Sequence, residues 1–323
     1  MSIPRKHHYL PQFYLEGFKV EPQTGKRPHI WQIEKSGDQA YQAAIRDTGC
    51  IRDYHSIDFE KEESDHKTIE TRLSAVEAEQ AKLVQRIKTA KRLDASRIEE
   101  LSTFISLMRY RVPAFANHVK TIHQDSVMDV FKIMYQRGKI PPPPQELLNL
   151  FESKGIDDSL RIDISNWKII ENMFKVALAP ESIGLLMQFK FRVYSAKDPN
   201  FFVTSDNPVA LFHPNYDEIR PYGVGLATPG VELTFPLSFD TLILAGHEVE
   251  PGFSLASMEE VEEFNRRTIV MSTSYVFARD AGIELKSKIR ELKHLSAGFV
   301  LDNLFHGDGA VQISRFIPVT TDE

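Results

Sequence analysis

The stretch His7–Phe18, HHYLPQFYLEGF, lies near the start of the chain and combines two histidines with four aromatic residues. Chain termini are usually polar and frayed, so a terminus this aromatic predicts a segment that docks into the body of the protein. Docking would also bury His8 and Gln12, and both polar side chains would then need partners. The segment therefore predicts either a structural plug or one part of a functional site, and both interpretations stay open at this point.

A short helix is expected over Pro11–Phe18, because a proline in the first turn of a helix loses no hydrogen bond. In that helix His8 and Gln12 bracket the N-terminus, where free N–H groups and the helix dipole favour an anion. His8 would then act as a donor or general acid towards a bound phosphate or carboxylate. The alternative is that His8 caps the helix and Gln12 bonds a neighbouring backbone group.

Composition excludes several classes of protein. The chain has 323 residues, 42% of them hydrophobic and 26% charged, which is typical of a globular protein with a substantial core. The net charge of −6 gives the surface as a whole no attraction for phosphate, so nucleic-acid binding would need a local basic patch. Cys50 is the single cysteine, which excludes an intramolecular disulfide and favours a cytoplasmic location. No apolar stretch is long enough for a membrane span.

The order of predicted elements indicates an α+β fold. A hairpin over His29–Glu34 and Tyr41–Arg46 is followed by a helical region at about 65–189 and then by a strand-rich C-terminal third. We expect the N-terminal hairpin and the C-terminal third to form a mixed sheet that packs on the helical region. The whole chain, 1–323, is predicted to be a single domain with an exposed proline-rich insert at about 139–145.

Three finer expectations accompany this fold. Pro113 should kink or break the second long helix of the middle region. Tyr54–Ile57 is a candidate third strand, and Phe201–Thr204 is predicted to be a strand that ends in Ser205-Asp206-Asn207-Pro208.

The Ser205-Asp206-Asn207-Pro208 turn is a second candidate site. Carboxylates at strand ends are often catalytic, because the sheet fixes the backbone while the side chain faces a cleft. The same residue types before a proline are also the ordinary components of an Asx turn. A turn alone and a turn that carries a site both remain open.

Arg109-Tyr-Arg111-Val-Pro113 is a third candidate. Arg111 follows the apolar stripe of its helix by about one turn and is expected to point inward. A buried arginine needs an acidic partner or a bound anion. A structural ion pair with Glu70 or Glu77 is the alternative to an anion-binding role.

Several motifs together resemble a known family, the domain of unknown function 4238 family. The resemblance covers nearly the whole chain in the right order, and the proline run Pro141–Pro144 is a departure from it. The matching elements are His8–Leu15, Ile69-Glu70, Val76-Glu77, Phe104–Pro113, Phe202–Val209, Phe235–Ser238 and Asn265-Arg266. The resemblance implies a largely microbial protein of one domain without a settled activity.

The polar residues of the matched motifs imply a site for a polar or phosphorylated ligand. They are His8, Gln12, Glu70, Glu77, Arg111, Asp206, Asn207 and Asn265. From this set we expect an enzyme acting on a phosphodiester or nucleotide, such as a nuclease or a nucleotide-processing toxin.

In that hypothesis His8 is the general acid or base, and Asp206 is the second acid–base group or the ligand of one divalent metal ion. Arg111 clamps the phosphate, and the substrate is oriented by Gln12, Asn207 and Asn265. The net charge favours a small nucleotide or a single strand over duplex DNA. Two other hypotheses are a sensor or regulatory module that binds a phosphorylated or carboxylate ligand without turnover, and a structural partner protein. The sequence does not determine the substrate, the metal dependence or the oligomeric state.

Overall fold

The computed structural model describes residues 6–21, 27–36, 39–54, 68–160, 162, 164–219, 223–306 and 309–321. The fold is α+β, as the order of elements predicts. The helices are α1 Gln12–Glu16, α2 Thr68–Ala90, α3 Ile98–Tyr110, α4 Pro113–Gln136, α5 Gln145–Lys154, α6 Ile156–Ser159, α7 Asn166–Ala177, α8 Pro180–Met187, α9 Tyr216–Ile219, α10 Met258–Met271 and α11 Ile283–Leu292. The strands are β1 Lys6–His8, β2 His29–Glu34, β3 Ala40–Ala44, β4 Cys50–Arg52, β5 Lys190–Ser195, β6 Thr204–Ser205, β7 Ala210–Phe212, β8 Glu232–Ser238, β9 Thr241–Gly246, β10 Gly252–Leu255, β11 Tyr275–Ala278, β12 Gly298–His306 and β13 Gly309–Ile317.

Two sheets form the centre of the fold. The first has the strand order β3-β2-β11-β6, so the N-terminal hairpin pairs with a strand of the C-terminal third, with Glu34 opposite Tyr275. The second has the order β10-β5-β9-β8-β7 and is mixed, because β10 pairs with β5 in parallel while the other pairs are antiparallel. The predicted pairing of the two ends of the chain is confirmed, but the mixed sheet comes from the C-terminal part alone.

The terminal segment His7–Phe18 is docked into the core. Leu10, Tyr14, Leu15 and Phe18 are all almost completely buried. The helix is shorter than predicted, since α1 begins at Gln12 and the proline before it occupies the N-cap position. The apolar side chains of this segment therefore behave as a plug between the helical region and the sheets.

Tyr14 fixes the plug in one position. Its ring stacks on Phe235 of β8, with 5.6 Å between ring centroids and 14° between planes. Its hydroxyl donates to the carbonyl of Pro236 at 2.8 Å and lies 2.6 Å from Oγ1 of Thr204. Because a phenol has one hydrogen, the threonine is then the donor of the second bond.

The helical region packs around α3, whose apolar residues Leu101, Phe104, Ile105 and Met108 are fully buried. Pro113 breaks the predicted long helix rather than kinking it. α3 ends at Tyr110, Val112 is extended, and the proline takes the first position of α4, which are the preferences of a proline and of the residue before it. The predicted insert Pro141–Pro144 is largely exposed and joins α4 to α5.

A long hairpin, β12–β13, follows α11. Its strands pair from Gly298 opposite Ile317 to His306 opposite Gly309. The hairpin packs on α4, where the imidazole of His118 stacks on the ring of Phe299 with 4.9 Å between centroids. His118 Nε2 also lies 2.8 Å from Oγ of Ser314.

Two predicted strands differ from the structure. Tyr54 lies in a turn, and Ile57 lies outside the described residues. The strand predicted for Phe201–Thr204 is reduced to β6. The reason is that the Val203 N–H and the Phe201 carbonyl bond the side-chain amide of Asn265 instead of a neighbouring strand, at 2.9 Å each.

Replacing Tyr14 by phenylalanine should destabilise the fold by about 1–2 kcal/mol, because the Pro236 carbonyl would lose a buried donor. The free energy of unfolding in urea measures this. Tyr41→Phe is the matched control, since Tyr41 is 43% exposed and its loss should cost less than about 0.5 kcal/mol. Equal costs for the two variants would show that the buried hydroxyl contributes no more than an exposed one.

Candidate functional site

Asp206 follows β6 and holds a loop through its carboxylate. Oδ1 accepts the N–H of Thr273 at 2.8 Å, and Oδ2 accepts those of Ser274 and Tyr275 at 2.7 and 3.2 Å. Burial raises the pKa of the Asp206 carboxyl, while the three N–H donors and the charge of Lys35 act in the opposite direction. These contacts give Asp206 a structural role between α10 and β11.

Asn207 and Lys35 meet at the C-terminal end of α10. The Asn207 amide donates to the Met271 carbonyl at 3.3 Å. The ammonium of Lys35 donates to the carbonyls of Val270 and Ser272 at 2.9 and 2.7 Å. A cation at this end of a helix interacts favourably with its dipole. Burial nevertheless lowers the pKa of Lys35 to about 8, with the charge of Asp206 opposing the shift.

Arg111 lies in a separate polar group. Its guanidinium pairs with Oε1 of Glu77 at 2.9 Å and donates to the backbone carbonyl of His8 at 2.6 Å. The hydroxyl of Tyr54 donates to the Arg111 carbonyl at 3.1 Å. The structure thus brings the backbone of His8 to the side chain of Arg111, which is only 2% exposed.

The other predicted site residues lie apart from these groups. Gln12 is exposed at the start of α1. The side chain of Glu70 lies outside the described part of the chain. Asn265 ties α10 to the segment before β6 through its two bonds to Val203 and Phe201.

Tyr9 lies close to both Tyr54 of the Arg111 group and Asp206. Its ring meets that of Tyr54 edge-on, with 6.2 Å between centroids. Burial raises the pKa of Tyr9, and the negative charge of Asp206 adds to the shift. A buried tyrosine therefore adjoins both groups.

A cavity of about 460 Å³ opens beside Asn207 and Lys35. Its wall also contains Arg109 of α3, Lys293, and the C-terminal hairpin residue Phe299. Three cations thus line it, and no acidic side chain does so among the described residues. His8, Arg111 and Asp206 are not part of this wall.

Arg109 is the most unusual residue of the cavity. It is 5% exposed, and its Nε and Nη1 atoms have no hydrogen-bond partner among the described residues. The guanidinium lies 4.9 Å from the ring centroid of Phe316 and 5.7 Å from that of Phe299. Aromatic faces attract a cation but leave its N–H groups unsatisfied. Arg109 is therefore a buried cation with two nitrogen atoms that no acceptor among the described residues satisfies.

Sequence reasoning missed Arg109 and Lys35 as site residues. Arg109 stands in the Arg109-Tyr-Arg111 motif and lies four residues after Ile105, on a buried face of α3, so helical spacing was a usable signal. Lys35 stands at the start of a hairpin turn, and no local pattern marks it.

Other chemistries have little support in the described residues. No group of three histidine, cysteine or carboxylate side chains there is arranged to hold a metal ion. Burial raises the pKa of the Cys50 thiol, which disfavours a reactive thiolate. Among the helices described, none has the length and apolar character that a membrane crossing needs.

Fold and site together define an α+β protein with a basic cavity at the junction of α3, the end of α10 and a C-terminal hairpin. Residues 6–282 match the family described as a protein of unknown function, DUF4238. The chain belongs to this family, as the resemblance predicts. No curated protein and no solved structure matches it. Lys35, Arg109 and Asn207 lie within the matched residues, and Lys293 and the hairpin lie beyond them.

Asp206→Asn should lower the free energy of unfolding by at least about 2 kcal/mol, because an amide cannot accept three backbone N–H bonds with its single oxygen. Urea unfolding measures the loss, with the exposed Asp158→Asn as matched control. A catalytic role would instead be supported if Asp206→Asn kept full stability and removed activity on a nucleotide.

Proposed function

We propose that this protein binds a small ligand carrying a phosphate or carboxylate group in the cavity beside Asn207, as a sensor or regulatory module. The proposal rests on the surroundings of Arg109. This residue is buried, and its Nε and Nη1 atoms have no hydrogen-bond partner among the described residues. A buried guanidinium without a carboxylate costs several kcal/mol unless another anion accompanies it. Arg109 is one of the residues that line the cavity, which supplies the space for such an anion.

The charge distribution supports the same proposal. The whole chain carries a net charge of −6, yet Lys35, Arg109 and Lys293 share a wall without an acidic residue among those described. Attraction for an anion is therefore local, and a cavity of about 460 Å³ suits a small ligand better than duplex DNA. We propose a nucleotide or the end of a single strand as the phosphate source, in a microbial cytoplasm.

Phosphodiester hydrolysis is the second candidate function, and Lys35 favours it. A pKa of about 8 leaves Lys35 able to donate a proton to a leaving oxygen near neutral pH. Arg109 and Asn207 in the same wall would stabilise and orient the phosphate. His8 and Asp206 as the catalytic pair stay a prediction, and the three N–H bonds of Asp206 support its structural role instead.

Binding of inorganic phosphate, measured by calorimetry at low ionic strength, tests the proposal. Arg109→Gln should weaken binding about tenfold to a hundredfold, because it removes charge-assisted hydrogen bonds worth about 1.5–3 kcal/mol. Arg92→Gln makes the same change at an exposed position outside the cavity wall and should leave binding unchanged.

Equal affinities in the parent protein, Arg109→Gln and Arg92→Gln would refute the cavity as the binding site. Release of a product from a nucleotide by the parent protein, lost in Lys35→Gln, would establish the hydrolase instead of the sensor.

Sulfate binding should weaken severalfold as the pH rises from about 7 to about 9, since Lys35 loses its positive charge around its pKa of about 8. Sulfate is the better probe because it stays doubly charged over this range, whereas inorganic phosphate loses its second proton near neutral pH. Lys35→Gln can still donate to the helix carbonyls and should bind sulfate with no such pH dependence. An unchanged pH dependence in this variant would assign it to another group.

A further inference from the structure

A serine and a histidine form a hydrogen-bonded pair outside the cavity beside Asn207. Oγ of Ser314 on β13 lies 2.8 Å from Nε2 of His118 on α4. Neither residue lines the cavity that contains Lys35 and Asn207. A serine hydroxyl within about 2.6–3.2 Å of an imidazole nitrogen is the geometry in which a base activates a nucleophile.

The two members of this pair differ in exposure. Ser314 is exposed, whereas His118 is only 9% exposed. Burial lowers the pKa of His118, so its imidazole is neutral at about pH 7 and able to accept a proton. The nucleophile is therefore accessible, and its base is in the protonation state that activation needs.

Aromatic rings orient the imidazole of His118. It stacks on Phe299 with 22° between the ring planes, and the ring centroid of Phe115 lies 6.4 Å away. Among the described residues no carboxylate bonds this imidazole. Ser314 and His118 are thus a dyad, whose base is held by packing instead of by the acidic member of a catalytic triad.

Ser314 lines a second cavity, of about 460 Å³. The same wall contains Tyr110 of α3, Ser182 of α8 and residues of the loop at 223–228. Pockets of roughly 300–1,000 Å³ bury small organic ligands in many proteins. The cavity therefore provides space for a small substrate at the serine hydroxyl.

The loop at 223–228 is held close to β13 by Gly223. This residue has a φ of +75°, and a Cβ there would lie 2.8 Å from the Phe316 carbonyl oxygen. Only glycine combines that backbone conformation with such a close approach. The next residue, Val224, donates its N–H to the same carbonyl at 2.9 Å. This part of the cavity wall is therefore fixed against the strand that carries Ser314.

We propose that Ser314 and His118 form a catalytic dyad that hydrolyses a small carboxylic ester bound in the second cavity. Oγ of Ser314 attacks the carbonyl carbon, and its proton passes to Nε2 of His118, whose ring carries its own proton on Nδ1. The bond from the carbonyl carbon to the alcohol oxygen breaks, and the imidazolium gives its proton to that oxygen.

Water completes the reaction. It attacks the acyl group on Ser314 while one of its protons passes to His118, and the bond to Oγ breaks as that proton returns to the serine. One ester and one water thus give one acid and one alcohol. This activity is separate from anion binding beside Asn207 and does not rest on it.

A purely structural hydrogen bond is the alternative. Oγ of Ser126 on α4 also donates to Gln312 of β13, at 3.1 Å, so side-chain bonds join the helix to the hairpin at more than one point. A structural bond leaves the hydroxyl with the low reactivity of an ordinary serine, whereas a dyad raises it. Reactivity therefore distinguishes the two roles.

Labelling with a fluorophosphonate probe, followed by mass spectrometry of the peptides, tests the proposal. The parent protein should carry an adduct on Ser314, because the bond from Oγ to phosphorus forms as fluoride leaves and the serine proton passes to His118. Ser314→Ala should carry no adduct at this position. Its hydrolysis of p-nitrophenyl acetate should fall from the parent rate to the rate without protein.

His118→Gln separates catalysis from docking of the hairpin. The amide can still hydrogen-bond Ser314 but cannot take its proton, so labelling should fall at least about a hundredfold while the thermal unfolding midpoint stays close to that of the parent. Ser126→Ala is the matched control, because it removes the bond to Gln312 and keeps the dyad. It should be labelled like the parent protein.

Two results would overturn the proposal. One is the absence of an adduct on Ser314 in the parent protein, or equal labelling of the parent and His118→Gln. The other is a loss of labelling in Ser126→Ala as large as that in His118→Gln, which would assign the effect to docking of the hairpin.

Discussion

The carboxylate of Asp206 is the interaction on which the site depends. Its three N–H bonds fix the loop between α10 and β11, and that loop sets the distance from the helix end to the sheet. Asn207 follows directly in the chain, and Lys35 reaches the same helix end from β2. A buried carboxylate whose two oxygens both accept hydrogen bonds makes the loop more rigid than a turn without such bonds would be. The cationic wall of the cavity is therefore positioned by an anion that does not line it.

Fold class and much of the element order could be predicted from periodicity, because α10 and the β2–β3 hairpin each show their pattern within a few residues. The site could not be predicted to the same extent. Lys35 donates to carbonyls 235 and 237 residues away in sequence, and no local pattern contains them. For Arg111 the spacing predicted an inward side chain. Of its two possible roles, an anion site or a structural ion pair, the structure shows the ion pair, with Glu77. For Arg109 the helical spacing was informative, because it places the side chain on a buried face of α3.

Arg111 and Arg109 show how differently two neighbouring buried arginines can be used. Arg111 has a carboxylate and a backbone carbonyl as acceptors, so its charge is compensated inside the protein. Arg109 has aromatic rings and a cavity. Aromatic faces compensate part of the desolvation of a guanidinium but accept few of its hydrogen bonds. The difference explains why the first arginine stabilises the docked terminus, whereas the second is the better candidate for recognition.

The cavity lies between two parts of the chain that differ in how much of the hydrophobic core stabilises them. Arg109 and Lys35 stand on elements that also carry the main core, while Phe299 and Phe316 stand on a two-stranded hairpin. A hairpin alone is marginally stable in water, so this one depends on its contacts with α4, such as the bond between His118 and Ser314. A ligand between Arg109 and the hairpin would add contacts to both, and any ligand that binds only the folded arrangement stabilises it. Ligand binding and the docking of the hairpin would therefore be coupled, and each would favour the other.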